Sequence, residues 1–130
     1  MLIMSAESLL SEYLITGKAP TPPKYTWPNS ILRREARVVF FRVYPRLKGR
    51  IIEVHHRVPL EWKSKFPLAD PNRIANLQGL YTKDHLYKAS QLWDSFRNTY
   101  RRLRREPTPT EILRFAGLVD RSLNLPRFLP

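Results

Sequence analysis

The stretch Glu53-Val54-His55-His56-Arg57-Val58-Pro59-Leu60 decides how this chain is read, together with Asn76-Leu77 and Asp84-His85 downstream. All three histidines of the protein fall in this one window. Arg50 to His55, centred on Ile51-Ile52-Glu53-Val54, has the short β-branched pattern of a strand. Pro59 closes it, because proline cannot donate to a ladder. Residues 60–75, with Pro67 and Pro71, read as a long and mostly irregular loop, and Asn76 to Tyr81 as a second short strand. Thr82 is a suitable N-cap for a helix from Lys83 to about Arg104, with Leu86, Ala89, Leu92, Trp93 and Phe96 as its buried stripe.

This order can carry phosphodiester chemistry, which needs an activated water and a cation to offset charge on the phosphorane and the leaving oxygen. Neighbours on a strand point to opposite faces. His55 and His56 therefore suit different tasks, one facing a metal and the other an attacking water. His85, in the first turn of the following helix, can complete a metal site, and Asn76 can hydrogen-bond the intervening loop and hold its shape. An imidazole, titrating near about 6.5, serves as ligand or as base at neutral pH. Each residue also has a plainer reading. His55 can be a satisfied core histidine, Glu53 an exposed strand residue paired with an arginine, and Asn76 a turn residue. Trp93 and Phe96, at helical spacing, read as core; Trp62 suits packing or substrate contact.

Working outward, Ser5 to Ile15 reads as a short amphipathic helix that Gly17 stops. Residues 18–28 contain Pro20, Pro22, Pro23 and Pro28 and cannot be helix; they form an extended linker or a strap that pins Tyr25 and Trp27 to the core. A helix from Asn29 or Ser30 to Tyr44 turns Ile31, Ala36, Val39, Phe40 and Val43 inward, with a strand at Val38-Val39-Phe40-Phe41 as the alternative; Pro45 ends it. Thr108-Pro109-Thr110-Glu111 is a capping box with proline at the first helical position, opening a last helix to about Ser122.

At 130 residues the chain makes one domain, or a domain with a short leader. Its 23 Lys+Arg against 11 Asp+Glu leave a net charge of +12, which favours a polyanionic partner, nucleic acid first and an anionic membrane surface second. The absence of cysteine excludes a disulfide framework and a thiolate zinc site. Met1 to Gly17 carries Glu7 and Glu12 without a basic n-region, and no apolar run approaches a membrane span, so no signal peptide and no membrane partner are expected. The run Arg97-Asn98-Thr99-Tyr100-Arg101-Arg102-Leu103-Arg104-Arg105 reads as a solvated helix end or, given its arginine density, as a phosphate-backbone track to which Arg33, Arg34 and Arg37 can add.

With Glu-Val-His-His-Arg-Val-Pro-Leu, then Ala-Asn-Leu at Asn76-Leu77, then Asp84-His85 opening a helix, the chain resembles the HNH nucleases. The nearest branch is the DNase domains of colicins and related polymorphic toxins. The likeness covers about residues 50–97. It implies an α+β fold: a ββα-metal (His-Me finger) core with additional N- and C-terminal helices. Residues 1–28 would be the N-terminal helix and proline-rich strap. Residues 29–130 would be the nuclease domain, its core at about 50–104 and its C-terminal helix at about 109–122.

The same resemblance assigns His55 and His85 as metal ligands, His56 as general base, Asn76 as the residue orienting the base's loop, and Glu53 as a supporting carboxylate. Arg50 lies one residue out of register with a family arginine. Arg50, Arg57, Arg97, Arg101, Arg102, Arg104 and Arg105 are the nucleic-acid-binding set. Colicin-type enzymes carry one more histidine a helical turn after the late one, where this chain has Ala89. Two protein ligands favour Mg²⁺ or Mn²⁺ as the single divalent ion, with Zn²⁺ or Ni²⁺ as alternatives. The implied activity is metal-dependent hydrolysis of DNA with low sequence specificity. The implied setting is an antibacterial toxin domain, delivered to the cytoplasm of a target cell and neutralised by an acidic immunity protein. A phage, restriction or mobile-element nuclease acting in its own cytoplasm is one rival, and a degenerate scaffold that binds nucleic acid without cutting is another.

Overall fold

The computed structural model describes residues 22–81 and 83–124. The expected helix at Ser5 to Ile15, the start of the strap and the Thr82 cap lie outside them. The described chain is an α+β arrangement of three helices and one two-stranded antiparallel sheet. In chain order these are α1 (Asn29–Val43), β1 (Glu53–His56), β2 (Leu77–Leu80), α2 (Lys83–Leu103) and α3 (Pro109–Leu123), joined by short 3-10 turns. None of the described helices is long and apolar enough to cross a membrane.

The strap enters through a 3-10 turn at Lys24–Thr26 and sets Trp27 into a cluster with Ile31, Leu32 and Leu60. Tyr25, expected beside it, is only half-buried. In α1 the buried positions Ile31, Leu32, Glu35, Ala36 and Phe40 repeat at helical spacing, so the helix wins over the strand alternative. Val43, expected inward, is exposed. At that end the inner surface is built by aromatic rings, with Phe40 against Phe41 at 5.3 Å and against Tyr44 at 4.9 Å.

The first strand begins at Glu53 rather than Arg50 and runs on through His56. Its register explains this: Glu53 pairs Leu80, Val54 pairs Gly79, His55 pairs Gln78 and His56 pairs Leu77. β2 ends at Leu80, so Ile51 finds no ladder partner and is 92% exposed, while Ile52 turns into the core without pairing. A Cβ at Gly79 would stand 3.0 Å from both Ile52 Cγ2 and Phe40 Cζ, so glycine is what lets the hairpin close on α1. Ala36, Phe40, Ile52 and Leu77 form the core between α1 and the hairpin.

On the other side α2 packs Ala89, Trp93 and Phe96 against Ile112, Ala116, Val119 and Leu123 of α3. Leu86, expected in that stripe, is exposed, and Leu92 is half-buried. α3 opens with the full capping box: Thr108 Oγ1 accepts from Glu111 N, and Glu111 Oε1 accepts from Thr108 N. The loop between the strands carries more order than expected, with 3-10 turns at Leu60–Lys65 and Ile74–Asn76.

Candidate active site

The β1 pleat sends Glu53 and His55 to one face and Val54 and His56 to the other. All four nevertheless border one cleft of about 390 Å³. Arg33 and Asn29 of α1 form one wall; Leu86, Ala89, Ser90, Trp93 and Arg97 of α2 form the other. Leu86 is exposed because it faces this cleft.

His56 is buried, and its Nε2 lies 2.7 Å from Asn72 Oδ1. The Asn72 amide nitrogen donates to Leu32 O at 2.8 Å and to Glu35 Oε1 at 3.0 Å. Both partners only accept, so the amide orientation is fixed and Oδ1 must face the histidine as an acceptor. The His56 ring therefore carries its proton on Nε2 and presents a lone pair at Nδ1. Glu35, 0% exposed, is held in turn by Lys24 Nζ at 2.7 Å, which also reaches Asp70 Oδ2 at 3.0 Å. Asp70 Oδ1 accepts from Asn72 N at 2.8 Å and closes the network. Burial lowers the Lys24 pKa, but its bonds to Glu35 and Asp70 more than offset that and raise it overall. Burial lowers the His56 pKa, opposed by the Asn72 bond and helped by Arg33.

His55 is pushed down to about 4, first by burial and then by its neighbour His56, with Asp120 opposing and Arg57 assisting. It is thus a neutral imidazole at physiological pH. Its Nε2 is buried with no hydrogen-bond partner among the described residues. In the tautomer that leaves the lone pair on Nε2, such a buried and unpartnered ring nitrogen fits a metal ligand. His85 is half-buried in the first turn of α2, one turn before Ala89 on the same stripe, but is not itself a wall of the cleft. Among the described residues no three His, Asp or Glu side chains converge to hold a metal.

Asn76 lies behind the cleft and not in it. Its Oδ1 accepts from Val58 N at 2.9 Å, its Nδ2 donates to Pro71 O at 2.8 Å, and its carbonyl accepts from Arg57 N at 2.8 Å. It stitches the end of β1 to the loop that carries Asn72. Glu53 is exposed at the cleft's edge.

The arginines divide. Arg57 is held by Asp120 of α3, Nε to Oδ2 at 2.6 Å, and so clasps β1 to that helix. Arg97 reaches the cleft but is bound by both oxygens of Glu61, at 2.7 and 2.8 Å, and by Asp94. Arg105 is paired with Glu111 at 2.8 and 2.9 Å and lies over the Tyr100 ring at 5.0 Å. Arg101 and Arg102 bond to Asn98 within α2, and Arg104 ends the helix in the left-handed region at φ 54°. Arg50 stands apart, in a separate groove with Arg37, Arg42 and Lys48.

No known protein family, no curated protein and no solved structure matches this chain. What the cleft can do therefore follows from its own residues. Asn72 and Glu35 are the site residues that the sequence pattern did not single out, whereas Arg33 was read as part of a phosphate track and lines the cleft. Asn72 carries a weak signal, an asparagine four residues before Asn76 in a loop next to the His pair, and Glu35 a stronger one, a carboxylate on the inner stripe of α1.

Proposed function

We propose that this chain is a metal-dependent endonuclease of the HNH type, its ββα-metal core built from β1, β2 and α2. The observation that carries the reading is the division of labour between adjacent histidines in one cleft. His55 has a buried nitrogen bonded to nothing among the described residues, and His56 has one nitrogen tied to Asn72 and the other available.

His56 Nδ1 takes the proton from the attacking water, and the Nε2–H bond to Asn72 holds the ring in the tautomer that makes this possible. His55, from β1, and His85, from the start of α2, would hold a divalent ion, with water and substrate phosphate as its remaining ligands. When bound, that ion supplies positive charge to the scissile phosphate and the 3′-oxygen. Arg33 faces the same space and offers a cation to a neighbouring phosphate. Asn76 and Arg57 keep the end of β1 in place against the loop and α3.

DNA is the proposed substrate, cut with little sequence preference, since the cleft offers phosphate contacts rather than a surface for base edges. The proposed setting is a toxin domain acting in a target cell and met by an acidic inhibitor, for which the +12 charge is the supporting feature. One observation favours a second reading. With Ala89 in the cleft wall and no three-ligand cluster among the described residues, a scaffold that binds nucleic acid without cutting fits the same surface. Supercoiled plasmid separates the two. The purified chain should nick it with Mg²⁺, Mn²⁺, Ni²⁺ or Zn²⁺ and leave it intact in chelator. Plasmid that is retarded on a gel but uncut with every cation overturns the enzyme.

A further inference from the structure

The arginine-rich end of α2 is the obvious phosphate track in the sequence, yet much of its charge is already spoken for. Glu61, Asp94 and Glu111 bind Arg97 and Arg105, and Glu106 binds Lys65 beside them. A different groove, between α1 and the chain that leads into β1, has the opposite balance. It measures about 440 Å³ and is lined by Arg37, Arg42, Lys48 and Arg50 with Val38 and Phe41. Among the described residues no carboxylate lines it. The side chains of Arg42, Lys48 and Arg50 are exposed and bond to none of the described residues; Arg37 is set in place by Ile52 O at 3.4 Å and by the Phe41 ring at 5.2 Å.

Two routes join this groove to the cleft. On α1, Arg33 lines the cleft and Arg37, one turn on, lines the groove, so both lie on one face of the helix. On the chain entering β1, Arg50 lines the groove and Glu53 the cleft.

We infer that this α1 groove, and not the end of α2, binds the phosphate backbone flanking the scissile bond. The inference rests on the nuclease reading for the word scissile, but the binding it describes is measurable without cleavage. Forked guanidiniums suit phosphate oxygens, and continuity with the cleft favours a strand of the substrate over an acidic protein as occupant.

The test is the salt dependence of Kd for a fluorescent DNA duplex, measured on the full chain in chelator so that nothing is cut. Arg42→Gln/Lys48→Gln/Arg50→Gln should weaken binding about tenfold or more near physiological salt and flatten the log–log salt slope by about 2 to 3. Arg101→Gln/Arg102→Gln/Arg104→Gln, at exposed positions of the other patch, should change the slope by less than about 1. Thermal unfolding of both variants checks that the fold is kept. A groove variant with the parent slope, a larger loss in the α2 variant, or a parent chain with no affinity for DNA each overturns the inference. Failure of the nuclease reading would show elsewhere, as a plasmid left uncut.

Discussion

Asn72 leaves His56 only one nitrogen to react with, and that constraint is testable. Asn72→Leu removes the acceptor at Nε2 and frees the ring to take either tautomer. In the proposed reaction kcat should fall about 10- to 100-fold with KM little changed, while ¹⁵N shifts of the His56 ring move from a pure Nε2–H pattern to a mixture. An unchanged ring spectrum in the leucine variant would remove Asn72 from the account. His55 gives a stability prediction. Its folded pKa of about 4 lies below the ordinary 6.5, so between those values the unfolded chain binds more protons and stability drops as pH falls. His56 is shifted the same way. In chelator, unfolding free energy should decline on the order of 2–3 kcal/mol between about pH 7 and pH 4.5, and His55→Gln should flatten much of that slope. Equal slopes for the two chains would contradict it. At this scale the sequence announced the two histidines through their adjacency. It did not announce Asn72, because the bond to His56 depends on where a long loop returns, and no local pattern encodes that.

Among the elements, the strap and α1 are joined by the Lys24–Glu35 pair, both side chains nearly fully buried. Lys24→Met would leave the Glu35 carboxylate buried without its cation and should cost about 3–5 kcal/mol in denaturant unfolding. Adding Glu35→Gln should restore most of that, because the amide still accepts from Asn72 and needs no counterion. A single variant within about 1 kcal/mol of the parent would show that the strap is not anchored this way. The helices were legible to within a residue or two where local chemistry defined them: the Thr108–Glu111 box, the apolar spacing of α1, and Pro45 beyond it. β1 was placed three residues early because pairing, not β-propensity, sets where a strand starts, and β2 is short. Leu86 and Val43 were misplaced for a related reason. Helical spacing predicts which residues share a face, but not where the face meets a cleft or an aromatic cluster.

For the whole molecule, the net charge of +12 was legible at once, whereas its distribution was not. The densest run of arginines turns out to be partly neutralised by acidic residues remote in sequence, such as Glu61 against Arg97 and Glu111 against Arg105. The less conspicuous Arg37, Arg42, Lys48 and Arg50 meet only in three dimensions. The cleft lies between β1, α1 and α2, and both of its histidines come from a single strand. The central claim is that His56 is the base of a phosphodiesterase. Single-turnover cleavage of a DNA duplex in Mn²⁺, by the parent chain and by His56→Ala at saturating protein, tests it most directly. The account predicts a rate lower by about 10² to 10⁴ in the variant, with the DNA Kd within about twofold of the parent. A variant that cuts at the parent rate would contradict it.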